Sequence, residues 1–100
     1  MNLGSEAESP ALWHLMGAYL HQDYAYDGTI DENIALYVVE SPDLAPALPA
    51  EVDRALREFP SEQDLETFLD DLGCEVFPPH GLTYREWLTQ IADRVRAATT

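Results

Sequence analysis

One hundred residues that are 46% apolar, with two Trp, five Tyr and three Phe, are enough to close one hydrophobic core and leave no room for a second domain of useful stability. Nineteen Asp and Glu oppose five Arg and no Lys, for a formal net charge of -14. A field of that sign repels phosphate backbones and anionic membranes and attracts basic partners, so direct nucleic-acid binding and membrane association are not expected.

The stretch Met1 to Glu8 is polar, acidic and without period, and is expected to be a flexible tail ahead of one helical domain over residues 9–100. Ser9-Pro10 places an N-cap before the residue best suited to a first helical turn. Leu12, Trp13, Leu15, Met16, Tyr19 and Leu20 then recur at helical spacing, predicting a first helix from about Pro10 to His21. Asp23 to Gly28 reads as a loop. Thr29-Ile30-Asp31-Glu32 has the spacing of a capping box and opens a second helix, with Ile34, Ala35, Tyr37 and Val38 inward. Val38-Val39 is the one place where a short strand competes.

Ser41-Pro42 ends that element, and the prolines up to Pro49 predict an extended connector. A third helix follows, lined by Val52, Ala55, Leu56 and Phe59 and stopped by Pro60. Ser61 caps a fourth, where Leu65, Phe68, Leu69 and Leu72 form one stripe and Gly73 supplies a left-handed stop. Cys74 to Phe77 reads as extended before Pro78-Pro79-His80-Gly81 turns the chain. Thr83-Tyr84-Arg85-Glu86 is a second capping box, opening a last helix with Tyr84, Trp87, Leu88, Ile91 and Val95 inward. The expected fold is therefore mainly all-α: a bundle of about five short helices, with one short strand or extended segment as the exception.

Catalytic and metal-binding patterns are weak. The lone Cys74 forms no intramolecular disulfide and is expected to pack. No serine sits in a G-x-S-x-G elbow, and no glycine-rich phosphate loop is present. Neither an enzyme nor a cofactor is expected. Residues Asp23 to Ile34 match a calcium-binding EF-hand loop in part, since Asp23, Asp27, Gly28, Ile30 and Asp31 fall at loop positions one, five, six, eight and nine. Ala25 and Ile34 stand where oxygen ligands are needed, so the acids read better as a turn that caps the second helix and favours its positive dipole end. His14 and His21 share one side of the first helix without a zinc spacing, and are expected to be exposed and to bond the helix end, respectively.

Two acidic clusters remain as candidate binding surfaces. The first is Asp23, Tyr24, Tyr26, Asp27, Asp31 and Glu32; the second is Asp64, Glu66, Asp70, Asp71 and Glu75. Tyrosine beside carboxylate suits a basic protein surface, because Tyr gives contact area at small entropic cost and carboxylates pair with Lys or Arg. For each cluster the competing reading is a solvated helix face.

Leu12-Trp13-His14-Leu15-Met16-Gly17-Ala18-Tyr19-Leu20-His21-Gln22-Asp23-Tyr24 resembles the opening of a family of immunity proteins from contact-dependent growth inhibition (CDI) systems, whose members tend to read G-A-Y-F-H-Q-D-W there. Leu20 and Tyr24 depart mildly from the usual aromatics. Leu72-Gly73-Cys74, Pro78-Pro79 and Gly81-Leu82-Thr83-Tyr84-Arg85-Glu86-Trp87-Leu88 resemble its closing pattern, and the likeness runs from about Pro10 to Arg96. The resemblance implies a helical protein that binds and neutralises a cognate toxin, often a nuclease. Acidity adds the expectation that the toxin presents a basic surface. The want of a basic segment followed by an apolar run, or of about 20 consecutive apolar residues, makes a cytoplasmic protein the expectation. It assigns no contact residues. The motif positions Gly17, Tyr19, Trp87 and Leu88 are placed as core scaffold, and the Asp23 to Glu32 region is the expected contact. A calcium- or metal-binding regulatory domain is the alternative. One further expectation is that Asp23 meets Arg85 in an ion pair joining the two stretches.

Overall fold

The computed structural model describes residues 9–20 and 28–99, apart from the His80 side chain. Among them the chain forms five helices and no strand: α1 Pro10–His14, α2 Ile30–Glu40, α3 Leu48–Glu58, α4 Glu62–Asp71 and α5 Tyr84–Thr99. Helix α1 runs on into a π-helical turn, Leu15–Tyr19, and the expected end at His21 lies outside the described residues. Met1 to Glu8 lie outside the described residues.

Both capping boxes form. The Thr29 hydroxyl accepts from the Glu32 amide at 3.1 Å while the Glu32 carboxylate accepts from the Thr29 amide at 2.9 Å. Thr83 and Glu86 repeat the pattern at 3.1 and 3.0 Å. Ser61 Oγ accepts from the Asp64 amide at 3.1 Å and starts α4. Helix α4 ends in a Schellman motif, with the Cys74 amide bonded to Leu69 O at 3.0 Å and the Gly73 amide to Asp70 O at 3.0 Å. Gly73 makes this possible with φ of 97°.

Three expectations are corrected. Ser9 makes no side-chain cap on α1; its hydroxyl accepts from Arg54 at 3.1 Å instead. The cap comes from Glu51 of α3, whose carboxylate accepts the Ala11 and Leu12 amides at 3.1 and 2.9 Å. Val38 and Val39 are helical, as the capping-box reading of the second helix expects, and the competing strand does not form, because β-branching is only a weak preference against that packing. The proline-rich connector is folded rather than extended: residues 42–44 turn and Ala45–Ala47 make one 3-10 turn that delivers buried Ala45 to the core. Ala35 and Gly17 are exposed rather than in the core, and Tyr19 is half-buried.

The core is one cluster. Leu12, Leu15, Met16 and Leu20 from the first segment meet Ile34 and Tyr37 of α2, Val52 of α3, Leu65 and Leu69 of α4, and Leu88, Ile91 and Val95 of α5. Helix α5 is the central member and packs on α2, α3 and α4. Interhelical polar contacts fix the arrangement. The Glu62 carboxylate at the start of α4 accepts the Tyr84 and Arg85 amides at the start of α5. The Arg85 guanidinium donates to Leu56 O and to Phe59 O, the latter at 2.9 Å, closing the C-terminal end of α3. Each charge thus faces the helix pole of opposite sign. The Tyr37 hydroxyl donates to Ala11 O at 3.0 Å and ties α2 to α1.

The two stretches that carry the family likeness touch. A Cβ placed on Gly73 would lie 3.3 Å from the Cα of Gly17, so the π turn and the end of α4 approach backbone to backbone. The Glu75 amide donates to Leu20 O at 3.0 Å and extends the seam.

Candidate functional site

Of the six residues expected at the contact surface, Asp31 and Glu32 stand in the first turn of α2, and Asp23, Tyr24, Tyr26 and Asp27 lie outside the described residues. The same holds for His21, for the calcium-like positions Asp23 and Asp27, and for the proposed Asp23–Arg85 pair. The Arg85 end of that pair is occupied with the α3 carbonyls. Glu32 is committed to its capping box, whereas Asp31 is an exposed carboxylate 3.5 Å from the Arg94 guanidinium of α5. Beside this ion pair a cleft of about 480 Å³ opens between α2 and α5, with Ile34, Trp87 and Ile91 among its walls and Asp31 and Arg94 at its edge. Asp31 therefore combines exposure, charge and an adjoining apolar hollow, the properties a partner contact requires.

The second cluster is laid out along α4. From Glu58 to Tyr84 the chain carries Glu58, Glu62, Asp64, Glu66, Asp70, Asp71 and Glu75 and no Lys or Arg. All seven are exposed. The five arginines sit on α3 (Arg54, Arg57) and α5 (Arg85, Arg94, Arg96), and several are held by internal partners: Ser9, the α3 carbonyls, Asp31 and Asp93. The negative field is accordingly strongest along α4.

Two hollows flank that helix. One, of about 400 Å³, has the stacked rings of Phe59 and Phe68, 4.7 Å between centroids, among its walls and Glu58, Asp64 and Asp71 around it. The other, of about 430 Å³, lies between Trp13, His14, Gly17 and Ala18 on one side and Asp71, Leu72 and Gly73 on the other. Trp13 is 42% exposed and Phe77, just beyond α4, is 79% exposed. The sequence counts Trp13 in the broad apolar stripe of the first helix, where Leu12, Leu15 and Met16 already fill the inner face and Trp13 falls at the margin.

The titratable groups inside the fold hold structure together. Burial pushes the Glu51 carboxyl upward, an effect that the Leu12 and Ala11 amides and the Arg54 charge oppose. Burial also raises the Tyr37 hydroxyl, with the Glu51 charge adding to it, and pushes Tyr84 up to about 12. Tyr19 is raised by burial and by its hydrogen bond to Glu40 at 2.7 Å. His14 is half-buried, not exposed as expected, with its ring edge-on to Tyr19 at 5.6 Å between centroids. Burial raises the Cys74 thiol, which donates to Val76 O at 3.3 Å, and this disfavours the thiolate that nucleophilic chemistry needs. Among the described residues no three His, Cys, Asp or Glu side chains gather into a metal-holding group. No helix among them is long and apolar enough to cross a membrane.

No curated protein and no solved structure gives a significant match to the chain. The model of the family described as CdiI immunity protein matches residues 8–95, spanning the seam between Gly17 and Gly73, both capping boxes and the acidic helix α4. The chain belongs to the CdiI immunity protein family.

Proposed function

We propose that this protein binds a cognate CDI toxin through a basic surface of that toxin, forms a stable stoichiometric complex, and so blocks the toxin's active cleft in the cytoplasm of the cell that makes both. The observation that carries the reading is the family match over residues 8–95 on a chain whose net charge is -14. Nuclease domains carry cationic clefts for phosphate, so a nuclease is the toxin class such a charge fits best. The protein acts by binding, not by turnover, and needs no cofactor, direct nucleic-acid contact or membrane.

The Asp23 to Glu32 region is the proposed contact, on the strength of its acids interleaved with tyrosines and of the exposed Asp31 beside an apolar cleft. Charge steering should make association fast and salt-sensitive, while a few desolvated aromatic and charged contacts set the lifetime of the complex. The test is co-expression with the toxin domain encoded beside this gene, followed by titration of the purified pair and a growth-protection assay. The expected result is a one-to-one complex, rescue of growth, and an association rate that falls steeply with added salt. A protein that neither binds nor protects would overturn the proposal.

A further inference from the structure

We infer that the groove between α1 and the C-terminal end of α4 seats a cationic side chain, an arginine or lysine, of the partner protein. The inference rests on the toxin-binding reading and gives it a definite anchor, away from the Asp23 to Glu32 region.

The groove exists because two glycines meet. With Gly17 and Gly73 backbone to backbone, neither position carries a side chain into the space between Trp13 and Asp71, and a hollow of about 430 Å³, bordered also by His14 and Ala18, remains at the surface. One wall holds an indole. Trp13 is 42% exposed although its neighbours Leu12 and Leu15 are fully buried, and an exposed Trp beside a hollow is a ready cation–π partner. The opposite wall holds the carboxylate of Asp71. The Leu72 carbonyl oxygen also borders the space, 3.5 Å from where a Cβ of Gly17 would stand.

A second observation concerns the polarity of α4. Its last turn carries Asp70 and Asp71 and no basic residue. A helix C-terminus is the negative pole of the peptide dipoles, so acids there oppose the helix and a cation is the favoured neighbour. Among the described residues no arginine lines this groove. A guanidinium or ammonium lodged there would meet an aromatic ring, a carboxylate and a helix C-terminus together. An anionic or purely apolar occupant would gain nothing from the last two. Arginine fits best, because its planar fork can stack on the indole and pair with the carboxylate at once.

The test titrates the full-length protein with the toxin domain encoded by the neighbouring gene, comparing Trp13→Ala, Trp13→Phe, Asp71→Asn and, as a control on α3, Asp53→Asn. Trp13→Ala and Asp71→Asn should each weaken binding by about tenfold, Trp13→Phe by less, and Asp53→Asn by less than about twofold. Circular dichroism checks that each variant is folded. Asp71→Asn should also melt at a higher temperature than the wild type, since it removes an acid from a helix C-terminus, so lost affinity with gained stability would exclude a merely structural effect. Trp87 is buried at 3% exposure, so acrylamide quenching of the free protein reports mainly Trp13 and should fall in the complex. Wild-type binding with both groove variants unimpaired, or Trp13 still quenchable in the complex, overturns this inference and leaves the toxin-binding reading standing. Failure of the wild type to bind overturns both.

Discussion

The Glu51 carboxylate caps the helix that begins at Pro10, accepting the Ala11 and Leu12 amides at 3.1 and 2.9 Å from 40 and 39 positions along the chain. A helix N-terminus leaves its first amides unsatisfied, and burial here excludes water as their partner. Glu51→Ala should therefore destabilise the domain by about 1–3 kcal/mol in chemical denaturation, since it leaves two buried donors open. Relief from burying a charge offsets part of that loss. Ser9→Ala, which removes no cap, should cost less.

The same carboxylate gives stability a pH dependence of defined sign. Burial raises Glu51 above its ordinary 4.5, so between 4.5 and the raised value the folded state holds a proton that the unfolded chain has lost. The contribution of this group is largest below 4.5 and declines as the pH climbs through the raised value. Melting temperature should thus fall as pH rises from about 4.5 towards neutrality, in the same direction as the growing self-repulsion of a -14 chain. In Glu51→Gln the slope should flatten. An unchanged slope would assign the effect to the other carboxylates.

Gly73 and Gly17 should respond differently to Ala. Gly73 has φ of 97°, a region costing a side-chain-bearing residue about 1–2 kcal/mol, and its new Cβ would press on the Cα of Gly17 at 3.3 Å. Gly17 stands in the π turn without a positive φ, and its Cβ would meet Leu72 O at 3.5 Å, a normal contact. Gly73→Ala should lose at least about 1–2 kcal/mol. Gly17→Ala should stay within about 1 kcal/mol of the wild type, because better helix propensity offsets any crowding.

These cases separate what was legible in the sequence from what was not. The capping boxes at Thr29 and Thr83 and the stop at Gly73 are local grammar, set by residues within a few positions of one another, and each formed as read. Glu51 and Arg85 belong to another class: they cap helices from far along the chain, and nothing near Ser9 or Phe59 announces the partner. The π turn at Leu15–Tyr19 was likewise hidden, since its hydrophobic spacing passes for an ordinary helix. At the candidate site, the acidity of α4 was visible as composition. The groove was not, because it depends on Gly17 and Gly73 meeting across the fold, and on Trp13 falling just outside an over-wide apolar stripe.

Arg85 offers a further test of the long-range caps. Its guanidinium donates to Leu56 O and Phe59 O, so it satisfies carbonyls at the negative pole of α3 while itself standing in the first turn of α5. Arg85→Ala should destabilise by about 1.5–3 kcal/mol, the range for hydrogen bonds to a charged group. Arg85→Lys should recover only part of this, because a single ammonium cannot span both carbonyls as a planar fork does. Equal loss in both variants would mean the geometry of the fork matters more than its charge.

The first turn of α2 holds two acids with different duties, and this decides which of them can test the proposed contact. Glu32 closes the capping box with Thr29, so Glu32→Ala should cost about 0.5–2 kcal/mol and confuse any binding measurement with loss of helix. Asp31 is exposed and pairs with exposed Arg94 at 3.5 Å, a geometry worth about 0–1 kcal/mol. Asp31→Asn should therefore leave the melting temperature almost unchanged, with a small further loss of favourable charge at the helix N-terminus. It also frees Arg94 beside the cleft lined by Ile34, Trp87 and Ile91, which makes the local field less negative. If this edge meets a basic toxin, Asp31→Asn should slow association more than it speeds dissociation, and Asp31→Asn with Arg94→Gln should recover part of the lost rate. A folded Asp31→Asn variant with wild-type association kinetics at low salt would remove Asp31 from the contact surface, leaving the Trp13–Asp71 groove as the anchor to pursue.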